Sequence, residues 1–172
     1  MTNLFDKDRW SRLWAPHRRS YLLSEAGQFN DSTCPFCIAP KLSDSEGLIV
    51  FRGELCFVVM NKYPYNTGHL LVCTYQHTAW YDEISEAERA EMSALTSMAI
   101  KVLKKINGAQ GFNVGLNQGE VAGAGVAGHI HQHVVPRWAN DSNFMPIVGQ
   151  TKVMSELIED TRVRISNAWS SN

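Results

Sequence analysis

No apolar run in this chain approaches the ~20 residues that a helix needs to cross a bilayer, so no membrane partner is expected. Charge of one sign is missing as well. Sixteen Lys and Arg stand against seventeen Asp and Glu, a net charge of −1. A protein that holds a phosphate polymer needs a strongly basic balance, so no nucleic acid polymer is expected as partner. A small nucleotide remains open, because one well-aimed pocket needs little global charge. Low-complexity stretches, internal repeats and linkers are absent, which argues against disorder and against a repeat architecture. The first twenty residues, MTNLFDKDRWSRLWAPHRRS, lack the apolar centre of a secretory signal, and the expected compartment is the cytoplasm. Cysteine is scarce. Of four, Cys56 and Cys73 sit inside the apolar runs LCFVVMN and HLLVCTY and read as small core hydrophobes.

What is present suits one domain. With 172 residues, 44% of them hydrophobic, the chain can bury a sizeable core. A partly helical segment is expected around DKDRWSRLW, residues 6–14, followed by a loop through Pro16. Short strands are expected at Val50–Arg52, Leu55–Met60 and Leu70–Tyr75, the first two joined at Arg52-Gly53-Glu54. Their near-continuous apolar character predicts burial on both faces. Ser85 and Glu88 form a capping-box pattern ahead of Met92, Leu95, Ala99, Val102, Leu103 and Ile106, so a helix is predicted over 85–107 with Gly108 at its exit. Residues 111–119 (GFNVGLNQG) read as another strand, and 151–169 as a last helix. The fold class is α+β: an antiparallel sheet of about five strands with one long and several short helices. The expected organisation is a single domain over 1–172, with its core at about 34–138.

Two stretches carry chemistry. The first is GHIHQHVVPRW, in which His129, His131 and His133 occupy alternate positions. On a strand they would line one face, opposite Ile130, Gln132 and Val134. A solvated polar strand is a poor account, because HVVP continues into apolar residues. Two readings stand. Imidazoles on one face could bind a metal. Alternatively, one neutral imidazole could act as nucleophile while its neighbours donate to oxygens that gain charge. The preceding NQGEVAGAGVAG favours the second, since Gly119, Gly123, Gly125 and Gly128 let backbone amides approach phosphate oxygens. The second stretch is CPFC, in which Cys34 and Cys37 have the gap of a metal knuckle. One pair alone needs two further ligands, and a redox disulfide is the rival, without a thioredoxin-like βαβ pattern around it.

HIHQHVV, together with MNKYPYNTGHLLVCTYQH, GFNVGLNQG and HVVPRW in that order, resembles the histidine triad (HIT) superfamily over about residues 34–138. The versions PYNTGHLLV and HVVPRW resemble most the branch that cleaves dinucleoside polyphosphates, bacterial diadenosine tetraphosphate phosphorylases in particular. The resemblance implies a homodimer with a continuous sheet and a two-step nucleotidyl transfer. In that scheme His131 attacks the α-phosphorus, His133 donates to phosphate oxygens and His69 packs against the triad. Asn61 then falls at a position that contacts ribose, while Asn117, Gly119, Gly123 and Gly125 belong to the region that orients the phosphate. It also supplies His77 and His129 as partners of Cys34 and Cys37 in a structural zinc site; no organic cofactor is implied. The chain departs from the pattern at Gln132, usually apolar, and at Gly125. Many relatives carry a polar side chain at the latter that touches the bridging oxygen or leaving group. A nucleoside phosphoramidase, another nucleotide hydrolase of this type, or a non-catalytic nucleotide-binding module are the alternatives.

Overall fold

Because the apolar runs at 56–60 and 70–74 leave no face for water, their strands must lie inside a covered sheet. The computed structural model of the chain describes residues 32–141, 144–149, 151 and 153–171. It forms one antiparallel sheet from β1 (Ile49–Arg52), β2 (Cys56–Met60), β3 (Leu70–Thr74), β4 (Gly111–Leu116) and β5 (His131–Arg137), in the order β1-β2-β3-β5-β4. Every residue of β2 and β3 is buried. The expected helix at 6–14 and His17, for which a surface position is expected, lie outside the described residues.

The helices are α1 (Pro35–Ile38), α2 (Glu86–Asn107), α3 (Met145–Val148) and α4 (Ile158–Ser170). The capping box of α2 is formed as predicted: the Glu88 amide donates to Ser85 Oγ at 3.2 Å, and the Ser85 amide to Glu88 Oε2 at 2.7 Å. Gly108 ends the helix at φ 60°, a left-handed conformation that glycine adopts without a Cβ penalty. Met92, Leu95, Ala99, Val102 and Leu103 then bury one stripe of α2 against Val58, Met60, Leu70, Val72 and Val134. Each of the methionine, leucine and valine side chains contributes ~1.5–3 kcal/mol of transfer free energy. α4 extends this layer, with Trp169 stacked on Phe51 at 5.3 Å. The opposite face of the sheet carries Ile49, Phe57, Val59, Leu71 and Cys73 beneath Ala39, with Phe36 packed against them.

The largest boundary differences are at β4 and the last helix. β4 stops at Leu116 rather than reaching residue 119. The last helix begins at Ile158 rather than about residue 151. Before it, the Ser155 hydroxyl lies 3.1 Å from that of Thr67, and Leu157 is extended at ψ 147°. These contacts hold the segment before Ile158 outside the helix expected from residue 151. Among the described residues, no helix is long and apolar enough to cross a membrane.

Candidate active site and metal group

β5 lies between β3 and β4, with His131 opposite Cys73 and His133 opposite Leu71 and Gly115. The period-2 alternation of the strand puts His131 and His133 on the face turned away from α2. Gln132 faces α2, where its Nε2 donates to Thr96 Oγ1 at 2.6 Å, and Thr96 in turn donates to the Met92 carbonyl at 2.7 Å. A polar residue at this inward position is therefore satisfied by a polar partner on the helix.

His129 does not sit on the strand, contrary to the expectation that all three imidazoles line one strand face. β5 begins at His131, because the Ile130 amide donates to the Thr78 carbonyl (2.7 Å) and the His129 amide closes a turn on Val126. The ring of His129 is buried and pairs its Nε2 with the Thr74 carbonyl at 2.9 Å. Its Nδ1 lies 3.4 Å from Cys34 Sγ and 3.5 Å from Cys37 Sγ, and His77 Nδ1 lies 3.1 Å from Cys37 Sγ. All four donor atoms fall within 4.8 Å of one another. A tetrahedral zinc with Zn–S of about 2.3 Å and Zn–N of about 2.0 Å needs sulfur and nitrogen roughly 3.5 Å apart, so this Cys2His2 set fits such an ion. The Nε2–carbonyl hydrogen bond of His129 directs the Nδ1 lone pair toward the thiols, the outer-shell arrangement that metal-ligating histidines use.

The remaining imidazoles form a chain whose proton positions follow from one fixed donor. The Tyr65 backbone amide can only donate, and it points at His69 Nδ1 from 3.0 Å. His69 therefore carries its proton on Nε2 and gives it to His133 Nδ1 at 2.9 Å. His133 must then hold its own proton on Nε2. Asn61 reinforces the first step: its Oδ1 accepts from the Tyr63 amide (2.9 Å), which leaves its Nδ2 to donate to His69 Nδ1 (3.3 Å). In His131, Nδ1 donates to the His129 carbonyl at 2.7 Å, so Nε2 bears the lone pair. Burial holds the pKa of all three down. That of His69 falls to about 3, with the charges of His133 and His131 adding to the effect. That of His133 falls to about 4, with His131 adding, and His131 is lowered against the upward pull of its carbonyl partner. The site thus presents a neutral nucleophilic nitrogen beside an N–H donor.

A cleft of about 390 Å³ opens beside His133, lined by Tyr65, Asn113, Asn117 and Arg137 among others. Asn117 is therefore brought to His133. Gly119 (φ 78°, ψ 158°) and Gly123 (φ 87°, left-handed) take positive-φ conformations around a short 3-10 turn at Glu120–Ala122, and Gly125 lies in the bend that follows buried Ala124. Cys56 and Cys73 are fully buried. Burial pushes the Cys56 thiol up to about 12 and that of Cys73 well above its ordinary value, so both are core residues.

Sequence reasoning overlooked Phe36, whose ring lies 4.9 Å from that of His131, and Tyr65, whose ring stacks at 5.6 Å on His133. Both stand inside motifs singled out for other residues, CPFC and PYNTG, and that neighbourhood was the available signal.

The HIT domain family model matches residues 43–140. A protein of Mycobacterium tuberculosis described as AP-4-A phosphorylase is 44% identical over 95% of this chain and 87% of its own length. A histidine triad nucleotide-binding protein from Sulfolobus tokodaii shares 28% identity and superposes with a TM-score of 0.65, over 80% of this chain and 93% of that one. A zinc-bound histidine triad protein from Mycobacterium smegmatis gives 0.67 at 23% identity, over 83% and 96%, a likeness of fold. The family-model match and the sequence identity show it, and the likeness of fold agrees: the chain belongs to the HIT domain family.

Proposed function

We propose that the protein cleaves dinucleoside polyphosphates of the diadenosine tetraphosphate type at the α-phosphorus, in two displacements through a nucleotidyl-His131 intermediate. The observation that carries this reading is the hydrogen bond from His131 Nδ1 to the His129 carbonyl, which aims a lone pair on Nε2 away from the backbone. In the first step Nε2 forms a bond to phosphorus while the bond to the leaving polyphosphate oxygen breaks. In the second, inorganic phosphate or water attacks phosphorus, the P–N bond breaks, and the imidazole is regenerated. His133, holding its proton on Nε2, donates to a non-bridging oxygen as charge accumulates there. Asn61 contacts the ribose, Asn117 orients the phosphate, and the Gly119–Gly123–Gly125 loop offers backbone amides. His69 fixes the tautomer of His133.

The relative described as AP-4-A phosphorylase supports phosphate as the acceptor. A metal-dependent hydrolysis with all three imidazoles on one ion is disfavoured, because His129 alone of the three belongs to the converging donor set. That set is read as a structural zinc site, in which Cys34, Cys37, His77 and His129 would hold the ion. The ion would supply a covalent fastening rather than a reacting group. The reading includes a cytoplasmic location, where reducing conditions keep the thiols available to metal. It also includes a single domain and a homodimer joined through the exposed edge strand β4.

The test is to incubate the protein with diadenosine tetraphosphate, with and without inorganic phosphate. ADP plus ATP formed only with phosphate is the expected result, and His131→Ala should lower turnover by about 10³-fold or more while nucleotide binding persists. AMP plus ATP would assign water as acceptor, and release of AMP from adenosine phosphoramidate alone would move the chain to the phosphoramidases. Full turnover in His131→Ala refutes the nucleophile.

A further inference from the structure

Of the two residues between the cysteines, Phe36 has no part in the metal group, yet it reaches the reacting face. Phe36 is half-buried on α1, and its ring lies 4.9 Å from His131 at an interplanar angle of 41°, and 5.5 Å from His129 at 69°. The His131 ring also meets His133 at 5.1 Å. The nucleophilic imidazole therefore contacts both an aromatic ring and its neighbouring imidazole.

We propose that Phe36 is a positioning residue for the reaction, holding the His131 imidazole in the plane where Nδ1 reaches the His129 carbonyl and Nε2 faces the substrate. The Nδ1 contact to the His129 carbonyl, 2.7 Å long, selects a tautomer, but the ring can still rock about that axis. A flat apolar wall removes that freedom and keeps water from competing for the Nδ1 proton. A four-residue helix cannot supply such a wall unaided, because it is far below the length at which a helix is stable in isolation. α1 is fastened instead at both flanks of Phe36: Cys34 Sγ approaches His129, and Cys37 Sγ approaches His77 and His129. The same residue, His129, supplies a ring to that fastening and a carbonyl to His131. The spacing Cys-Pro-Phe-Cys thus does two things. It supplies two thiolates, and it sets an aromatic ring against the nucleophile.

This inference rests on His131 as the nucleophile, and its test separates the two. Phe36→Ala, Phe36→Leu and Phe36→Tyr are prepared in the metal-loaded protein. Each is assayed for metal content, for kcat and KM on diadenosine tetraphosphate, and for the side-chain nitrogen signals of His131 by NMR. Phe36→Ala should keep one metal per chain and lower kcat by about 10- to 100-fold with little change in KM, the size expected when a reacting group is displaced by about an ångström. Its His131 signals should shift from a single Nδ1-protonated form toward averaged tautomers. Phe36→Tyr, which keeps the ring and can put its hydroxyl at the half-exposed edge, should restore both readouts, and Phe36→Leu should fall between. Wild-type His131 signals and kcat in Phe36→Ala would overturn the proposal, as would a kcat loss that merely follows loss of metal. Full turnover in His131→Ala would instead remove the nucleophile assignment, whatever the Phe36 variants show.

Discussion

At the scale of single residues, one backbone amide decides how the imidazole chain is protonated. The Tyr65 amide fixes His69, and His69 fixes His133. Both rings are held neutral by burial, at about 3 and about 4 against an ordinary 6.5. The folded protein therefore takes up these protons later than the unfolded chain. Stability is fully present above pH 6.5 and is lost as the pH falls through 6.5 toward 4, because there the unfolded state binds more protons. Buried His69 alone should account for ~2 kcal/mol of the loss by pH 5. Denaturant midpoints measured from pH 7.5 to 5 should decline accordingly, and the decline should be shallower in His69→Gln; a flat profile would contradict the neutral tautomers. This chain of protons was not legible in the sequence. His69 and the triad were, since TGHLLV and HIHQHVV carry them at fixed spacing. The partner that sets their protonation is a main-chain group, and main-chain direction leaves no trace in residue type. Gln132 looked like a departure for a related reason: its partner, Thr96, lies on a helix 36 residues away in sequence.

At the scale of elements, the long helix was legible because it repeats a helical period over many residues, and the central strands because their apolar runs are nearly unbroken. The boundary of β5 was not. Alternation at 129, 131 and 133 extends the strand pattern two residues too far, because the Ile130 amide pairs with Thr78 instead of continuing the ladder. That early ending frees His129 to turn toward Cys34 and Cys37. The metal group thereby ties three elements together: α1, the loop after β3 that carries His77, and the entry to β5. These are distant in sequence, and α1 is too short to hold itself. Metal binding to such a set is folding free energy. Chelation, or Cys34→Ser, should lower the Tm by about 10 °C, which corresponds to a few kcal/mol for a chain of this size. One equivalent of zinc should restore the chelated protein. A Tm unmoved by chelation in protein shown to have lost its metal would deny the group its fastening role.

At the scale of the whole molecule, the two edge strands of the sheet differ in what lies beside them among the described residues. β1 runs beside α4, but β4 ends the sheet with Asn113, Val114 and Gly115 exposed. An edge strand presents unpaired backbone N–H and C=O groups, and proteins that stay monomeric usually blunt such an edge with lysine, proline or a covering element. β4, GFNVGL, has no charge and no proline. Val114 is 46% exposed. A two-fold partner pairing β4 with β4 would satisfy those groups and make one continuous sheet. The consequence reaches the site, because β4 contributes Asn113, Val114, Gly115 and Leu116 to the cleft, and Gly115 stands opposite His133. Light scattering should therefore give twice the 19.3 kDa chain mass. Val114→Lys, which places a charge on that edge, should return the protein to a monomer while leaving its circular dichroism unchanged. Turnover of the wild-type chain should fall with dimer content as it is diluted, since the wall of the cleft is then no longer braced from outside. A wild-type chain that scatters as a monomer, or a dimer indifferent to Val114→Lys, would place the subunit contact elsewhere and leave β4 to be explained by some other cover.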